Sequence, residues 1–253
     1  MNKSEYSLVK NKVTTRASGF LENAVQKLFT RGATITVIEK INSKFRIITL
    51  EGEPLKNVNW TPGDKIQIQL GGWVQRTYTP MEWDPLLGRT RILVYTHGDS
   101  PGANWAKGLK CGDRCVVFGP RASIDLTQLT FPIILFGDET SIALASVIHT
   151  MAETENQVQV MLEINANEEA KTVIERLGLT KIVSNMGCPD TDYLLDQNNK
   201  IAGLLATYPS AQFVLTGKSN SIKLMRKYLQ QSNVERARLT SQIYWAPGKT
   251  GLD

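Results

Sequence analysis

The chain has 253 residues, of which 42% are hydrophobic and 21% are charged. This composition can bury a core and carries too little charge for a disordered chain, so we expect a globular protein with one large or two smaller domains. The longest apolar run, residues 131–136, is far shorter than the roughly 20 residues that a membrane-spanning helix needs. Residues 1–12 lack the apolar centre of a secretory signal. We therefore expect no membrane span and a cytoplasmic protein.

Histidine and cysteine are too few for most metal chemistry. The three cysteines, Cys111, Cys115 and Cys188, are odd in number and sparse, which suits a reducing compartment better than a disulfide framework. They cannot supply the four thiolates of an iron–sulfur cluster, and with two histidines a His-rich zinc site is not expected. We predict no metal site, so any redox chemistry must use an organic cofactor.

The net charge of +5 is unevenly distributed. Residues 1–127 carry 18 Lys or Arg against 11 Asp or Glu, a net charge of +7, and residues 128–253 carry 11 against 13, a net charge of −2. Excess positive charge can attract nucleic acid, an anionic membrane surface or small anionic ligands. Because no run of Lys and Arg supports the first two, we predict no nucleic-acid partner.

The first half has the pattern of a small β-barrel. Short β-branched segments alternate with turn signals such as Pro62-Gly63-Asp64 and Gly112-Asp113, and long helices are absent. The first two segments are separated by a polar turn at residues 40–43, which predicts a hairpin. We predict a six-stranded antiparallel Greek-key barrel with strands at residues 33–39, 44–50, 65–70, 74–79, 90–95 and 114–118.

The second half alternates buried strands with helices, which is typical of an open parallel sheet covered by helices. We place the boundary between residues 127 and 128, with a β-barrel domain at 1–127 and an α/β domain at 128–253. A cleft between two such domains is a common ligand site. The predicted strands are residues 131–136, 158–164, 181–186 and 213–216, and the predicted helices are residues 141–151, 168–177, 192–208 and 221–231.

The first candidate binding motif is Arg76-Thr77-Tyr78-Thr79-Pro80, at the end of a predicted strand. Because side chains alternate along a strand, Arg76 and Tyr78 share one face. A guanidinium can bind a phosphate through paired hydrogen bonds while a phenol ring stacks on a planar cofactor. The pair therefore suits a flavin nucleotide, with Thr79 offering its amide or hydroxyl to the ring. An exposed strand with an ordinary Arg and Tyr remains an equal alternative.

The second candidate motif is the loop at residues 97–106, HGDSPGANWA. Two glycines and a proline before a predicted helical turn expose backbone N–H groups, which is how a loop binds a pyrophosphate. His97 is more simply explained as a hydrogen-bonded residue at a strand end than as a catalytic group.

Together these motifs resemble the siderophore-interacting protein family, a branch of the flavin-containing ferredoxin reductase superfamily. The resemblance runs from about residue 31 to residue 245. It is carried by Arg76-Thr-Tyr-Thr-Pro80, His97 to Trp105-Ala106, Gly112-Asp113 with Gly119-Pro120-Arg121, Gly137-Asp138-Glu139-Thr140 and the terminal Tyr244-Trp245 pair.

The resemblance implies a bound FAD and an electron-transfer reaction in which a ferric siderophore is reduced and its iron released. No acid, base or nucleophile is then needed. Ala103 stands where relatives usually have Ser, so backbone amides would have to replace that hydroxyl. Trp245 either covers the flavin or anchors the last strand. The residues implied to hold FAD are Arg76, Thr77, Tyr78, Thr79, Thr96, His97, Gly102, Ala103, Asn104, Trp105, Thr140 and Trp245.

The resemblance also implies how the substrate docks. Ferric siderophores are often anionic, and the basic first half of the chain would attract them. Lys65 and Arg121 match basic residues that the family uses for docking, and Lys249 is a third candidate. Each could equally be an ordinary solvated surface residue.

The electron donor is harder to assign. Asp138 and Glu139 follow a predicted buried strand, at the start of the next helix. An acidic helix cap explains these two carboxylates better than a pyrophosphate site, because carboxylates repel phosphate. Thr216 ends the last predicted strand, and the Gly217-Lys218-Ser219-Asn220 segment that follows opens another helix and offers N–H groups and a cation for the adenosine end of NADH or NADPH. We predict NADH or NADPH as donor, with a ferredoxin as the alternative donor within the family.

We predict a monomer. Two rival functions remain open at this point. The first is a general flavin or ferredoxin reductase on the same architecture. The second is a non-catalytic module whose basic face binds a macromolecule.

Overall fold

The structure is a computed structural model that describes residues 30–72, 74–164, 167–179, 182–185 and 191–249. The predictions for residues 1–12, for Cys188 and for the ends of the strand at 181–186 lie outside the described residues. The described part contains no helix long and apolar enough to cross a membrane.

The first half folds as an antiparallel sheet of seven strands in the order β4-β3-β7-β1-β2-β6-β5. The α-helix α1 (Pro101–Gly108) lies in the chain between the last two strands of this sheet, β6 and β7. Its strands are β1 (Thr30–Lys40), β2 (Phe45–Glu51), β3 (Lys65–Gly71), β4 (Val74–Tyr78), β5 (Pro80–Asp84), β6 (Arg89–Tyr95) and β7 (Arg114–Arg121).

Strands β4 and β5 lie at opposite ends of this order, yet only Thr79 separates them in the chain. Seven strands laid flat would place the end strands about 29 Å apart, at roughly 4.8 Å per neighbour. One connecting residue spans only about 7 Å. The sheet must therefore curl back on itself, which confirms the antiparallel barrel.

The prediction of six strands was one strand short. The missing strand, β5, starts at a proline and follows β4 without a turn signal, so the sequence pattern merges the two. Buried Trp83 fixes this strand in the barrel, where its indole Nε1 donates to the carbonyl of Leu55 at 3.1 Å.

The second half is a parallel sheet in the order β10-β9-β8-β11-β12, as predicted. It contains one more strand than the four predicted, because β12 pairs in parallel with β11 at the sheet edge. The strands are β8 (Ile133–Asp138), β9 (Val158–Glu163), β10 (Ile182–Asn185), β11 (Gln212–Lys218) and β12 (Leu239–Trp245). The helices are α2 (Ile142–Met151), α3 (Asn167–Arg176), α4 (Thr191–Thr207) and α5 (Ser219–Gln231).

The two halves share a core. Buried Phe45, Ile47 and Leu93 of the barrel belong to the same apolar cluster as Ile133 and Ile148 of the α/β half. Polar contacts reinforce the junction, with Arg176 Nε 2.7 Å from the carboxylate of Glu39 and the Asn42 amide donating to the Glu169 carbonyl at 2.9 Å. Just after β4, Thr79 hydrogen-bonds to Tyr244 near the end of β12, so the end of β4 lies beside the carboxyl ends of the parallel strands.

Candidate functional site between barrel and sheet

The structure brings the two predicted flavin motifs together. Helix α1 packs directly on β4, because a Cβ built on Gly102 would lie 3.2 Å from the Tyr78 hydroxyl and 3.4 Å from Arg76 Cγ. The rings of Tyr78 and Trp105 lie 6.0 Å apart, tilted by 33°. Burial raises the pKa of Tyr78 well above its usual value, so its hydroxyl stays protonated. Arg76, Tyr78 and the start of α1 thus form one surface.

The start of α1 is capped within its own loop. Ser100 is the N-cap, and its hydroxyl accepts from the amide of Ala103 at 3.3 Å. Ala103 is buried, so the methyl group that replaces the usual serine packs inward. Asn104 is exposed and donates to the Asp99 carbonyl at 3.3 Å. The amide of Ala103 is therefore already engaged.

Within the described part of the chain, Arg76 uses few of its guanidinium donors. Its half-buried guanidinium spends one N–H on the carbonyl of Gln75, at 2.7 Å, out of five available. Thr77 lies on the other face of β4, as strand alternation requires, so it is not on the surface that Arg76, Tyr78 and Gly102 share.

Beyond α1 an open cavity of about 920 Å³ separates the helix from the barrel wall. Asn104 and Trp105 line it on the helix side, and Leu70 and Cys115 line it on the strand side. No sequence signal marks it, because its walls come from distant strands.

A column of stacked rings runs from the barrel core to the surface beside this site. The rings of Phe45 and Tyr95 are 4.9 Å apart, and those of Tyr95 and His97 are 4.5 Å apart. Burial, followed by nearby carboxylates of which Glu139 acts most strongly, raises the pKa of Tyr95 to about 12. His97 ends the column and is exposed. Thr96 is buried, and its hydroxyl donates to the Ser43 carbonyl at 3.2 Å, so it supports the strand end.

Asp138 organises the carboxyl end of β8. Its carboxylate accepts from the amide of Thr140 at 2.9 Å and from the Thr140 hydroxyl, which confirms the acidic cap of the helical turn that precedes α2. The same carboxylate accepts the indole N–H of Trp245 at 2.7 Å. No local pattern could indicate this contact, because the two residues are 107 positions apart.

The end of β12 joins the two halves. Tyr244 forms a side-chain hydrogen bond with Thr79, the residue between β4 and β5. Burial raises the pKa of Tyr244 to about 12, with the Thr79 hydrogen bond opposing that shift. Trp245, 38% exposed, therefore lies at the surface where the two halves meet, next to a predicted flavin residue.

The three residues predicted to bind the electron donor, Thr216, Gly217 and Lys218, are buried or half-buried. Thr216 is buried and donates its hydroxyl to Ser141 Oγ at 2.8 Å. A Cβ on Gly217 would lie 2.6 Å from the Asp138 carboxylate. Lys218 is half-buried, with its ammonium 5.6 Å from the centre of the Trp245 ring. Of the three, Lys218 is the residue whose side chain reaches Trp245.

The substrate candidates Lys65 and Arg121 are direct cross-strand partners in the pairing of β3 with β7. This register places the two residues opposite each other where β3 begins and β7 ends. Arg31 lies close by and donates to the Gly119 carbonyl at 3.1 Å. Lys249 is exposed beyond the end of β12, and nothing in the described structure places it against the other two.

In the described part of the chain, no cluster of His, Cys, Asp and Glu could hold a metal ion.

Comparisons with known proteins agree with this geometry. Residues 71–124 match the model of a siderophore-interacting FAD-binding domain, and residues 132–248 match the model of a siderophore-interacting protein. This chain belongs to the siderophore-interacting protein family. The first match contains β4 and α1, which form the surface around Arg76, and the second contains Asp138 and Trp245.

Solved structures of this family have the same fold. The siderophore-interacting protein SipS from Aeromonas hydrophila is 20% identical with a TM-score of 0.70, covering 87% of this chain and 93% of its own. A siderophore utilization protein from T. fusca is 19% identical with a TM-score of 0.69, covering 88% and 95%. The ferredoxin reductase of carbazole 1,9a-dioxygenase is 18% identical with a TM-score of 0.66, covering 85% and 68%. At these identities the likeness shows the fold, and it confirms the ferredoxin reductase-like architecture.

Proposed function

We propose that this protein reduces ferric siderophores with an FAD held between its two halves, and so releases ferrous iron. The observation that carries the proposal is the surface of Arg76, Tyr78 and Gly102, which lies within the matched FAD-binding domain. The electrons for this reaction come from NADH or NADPH, with a ferredoxin as the alternative donor. Residues 1–127 would then hold the flavin and residues 128–253 would receive the electron donor.

The residues of the site fit an FAD. Gly102 lets the start of α1 approach Tyr78 and Arg76 more closely than a side chain would allow, and Arg76 has guanidinium donors to spare for phosphate. When bound, FAD supplies the ability to take electrons from a donor and pass them singly to iron. The chain's own task is to orient the cofactor and bring the chelate close. Thr79, fixed by Tyr244, and Trp245, fixed by Asp138, would border the ring.

The basic pair Lys65 and Arg121 would orient the chelate. Siderophores hold ferric iron through hard oxygen ligands, and lowering the charge of the metal weakens that attachment. Reduction is therefore sufficient for release, and no group of the protein has to break a covalent bond. An open docking face suits this task because a chelate need not be enclosed.

The docking role predicts a salt-dependent defect. The double variant Lys65→Ala/Arg121→Ala should bind an anionic ferric siderophore about tenfold more weakly at low ionic strength and only about twofold more weakly near 1 M salt, where charges are screened within about 3 Å. Titration followed by tryptophan quenching measures both affinities. The matched control is Lys56→Ala/Arg89→Ala, which removes two cations elsewhere on the barrel. Equal losses for a neutral ferric siderophore would contradict the electrostatic role.

A general flavin reductase is the second candidate, because the described fold also matches a ferredoxin reductase. Steady-state turnover with a ferric siderophore, ferric citrate and ferricyanide separates the two. We expect the siderophore to give the highest kcat/KM and to lose most of that advantage in Lys65→Ala/Arg121→Ala. Equal kcat/KM for all three acceptors, unchanged in the variant, would support the general reductase.

A further inference from the structure

A cation on the core side of the barrel wall reaches helix α1. Arg46 of β2 is half-buried and lies between Phe45 and Ile47, which pack toward the α/β half. Because side chains alternate along a strand, Arg46 points the opposite way, on the same face as Ile48. Ile48 belongs to the apolar cluster of the barrel, and this cluster also contains Ala106 of α1. Arg46 therefore lies on the face of β2 that packs beneath the helix.

The guanidinium of Arg46 binds the carboxyl end of α1. Its Nη1 donates to the carbonyl oxygen of Ala106 at 2.5 Å. This carbonyl is one of the last four of the helix, which have no partner within the helix and carry its partial negative charge. Ala106 is fully buried, and Nε of Arg46 is shielded from solvent without a hydrogen-bond partner among the described residues. The bond therefore lies in an apolar surrounding, where a charged donor binds more strongly than in water.

The chain segment that carries Arg46 also contacts the chain just before α1. Thr96 directly precedes the loop at residues 97–106. Its amide donates to the carbonyl of Lys44 at 2.7 Å, and its hydroxyl donates to the carbonyl of Ser43 at 3.2 Å. Residues 43–46 thus bind the chain on both sides of the start of α1, at Thr96 before it and at Ala106 after it.

The position of Ala106 affects where α1 meets β4. Gly102 lies four residues before Ala106, about 6 Å along the helix. At Gly102 the helix is in close contact with β4, because an added Cβ would lie 3.2 Å from the Tyr78 hydroxyl and 3.4 Å from Arg76 Cγ. Since a single helical turn links the two residues, a shift at Ala106 also moves Gly102 relative to Arg76.

We infer that Arg46 is a positioning residue of the candidate flavin site, which holds α1 from the core side of β2 so that the start of the helix stays against Arg76 and Tyr78. This inference rests on the proposed function, because it assigns Arg46 a role in binding the proposed FAD. Arg46 acts through α1, and Arg76 remains the cation that binds phosphate. A purely structural role would lower the free energy of unfolding and leave the FAD affinity of the folded protein unchanged.

The first test measures the FAD affinity of full-length variants by fluorescence titration. Arg46→Met fills similar space without a donor and should bind FAD about tenfold more weakly than the wild type. Arg46→Lys keeps the charge and a donor for the Ala106 carbonyl, so it should stay within about threefold. If the methionine variant does not fold, Arg46→Gln takes its place with the same expectation, because it also removes the charge.

The matched control is Arg238→Met in the α/β half. Arg238 is also half-buried, donates from Nε to the Ala211 carbonyl at 2.8 Å, and has a buried nitrogen without a partner among the described residues. The control therefore removes a comparable arginine away from α1. It should keep the FAD affinity within about twofold of the wild type, since mutations at distant sites act independently.

Two further measurements separate positioning from general destabilisation. Hydrogen exchange of the FAD-free protein should be about tenfold faster at residues 97–110 in Arg46→Met than in the wild type or in Arg238→Met, because loss of the bond lets α1 open locally. The double variant Arg46→Met/Arg76→Ala should lose less FAD affinity than the product of the two single losses, because both residues act on one surface.

The inference is overturned if Arg46→Met binds FAD as the wild type does, if Arg238→Met loses as much affinity, or if the losses in the double variant multiply fully. The proposed function fails by a different result, namely a wild-type protein that binds no FAD or whose reduced flavin does not reduce a ferric siderophore. Hydrogen exchange of the FAD-free protein would still show in that case whether Arg46 holds α1.

Discussion

Arg76→Ala is expected to purify with little FAD and to bind added FAD about 10- to 100-fold more weakly than the wild type. A hydrogen bond to a charged group contributes about 1.5–3 kcal/mol, and each 1.4 kcal/mol is about tenfold in affinity. Arg76 belongs to none of the apolar core clusters, so its replacement removes the cation and leaves the core side chains in place. The ratio of flavin to protein absorbance and a fluorescence titration with FAD measure the loss.

Arg89→Ala is the matched control for this prediction, because Arg89 is a half-buried arginine of the same barrel, as Arg76 is, and contacts Asp84 at 4.0 Å. It should keep the wild-type FAD content. Arg76→Lys should recover only part of the affinity, since a lysine keeps the charge and loses the paired hydrogen bonds. Wild-type FAD affinity in Arg76→Ala would refute the phosphate role of this residue.

Gly217→Ala is expected to destabilise the protein by about 2–4 kcal/mol, within the range for forced clashes at strained backbone positions. Gly217 has a φ of +100°, which side chains rarely adopt, and its added Cβ would lie 2.6 Å from the Asp138 carboxylate. Asp138 would have to move, and its hydrogen bond to Trp245 would be lost. Urea unfolding followed by circular dichroism measures the change, and the tryptophan emission of the native state reports on Trp245.

Gly203→Ala provides the same substitution without the clash. Gly203 lies inside α4, and a Cβ added there would have nothing within 4 Å, so alanine should stabilise the helix by about 1 kcal/mol or less. If Gly217→Ala proved as stable as Gly203→Ala and kept the native tryptophan emission, the close contact between β11 and Asp138 would be wrong.

The fold could be predicted from sequence where its pattern is local. Alternation and turn residues indicated the barrel hairpin and the helices that cover the parallel sheet. The pattern failed at Pro80–Asp84, where two strands follow each other with a single residue between them. It also did not predict the bounds of the edge strand Leu239–Trp245, whose residues are all partly exposed and therefore lack the buried alternation of an inner strand.

The sequence predicts the motifs of the candidate site but not the contacts between them. Arg76 and Tyr78 were placed on one face by strand geometry alone, and the loop at residues 97–106 was recognised by its glycines. Their contact at Gly102 depends on how α1 packs. The hydrogen bond from Trp245 to Asp138 and the pairing of Lys65 with Arg121 arise from residues more than 50 positions apart, which a linear pattern does not relate.

The distribution of charge over the fold likewise cannot be predicted from a sum along the sequence. A sum over residues 128–253 suggested a nearly neutral half, because acidic and basic segments cancel. Only the strand order, which places β11 and β12 together, shows that the basic residues concentrate at one side of the sheet.

The central claim is that this chain passes electrons from a bound flavin to a ferric siderophore. The most direct test reconstitutes the protein with FAD, reduces it anaerobically, and mixes it with a ferric siderophore in the presence of a ferrous chelator. We predict rapid return of the oxidised flavin spectrum with two ferrous ions trapped for each flavin. A protein that takes up no FAD, or a reduced flavin that stays reduced and yields no ferrous iron, would contradict this account.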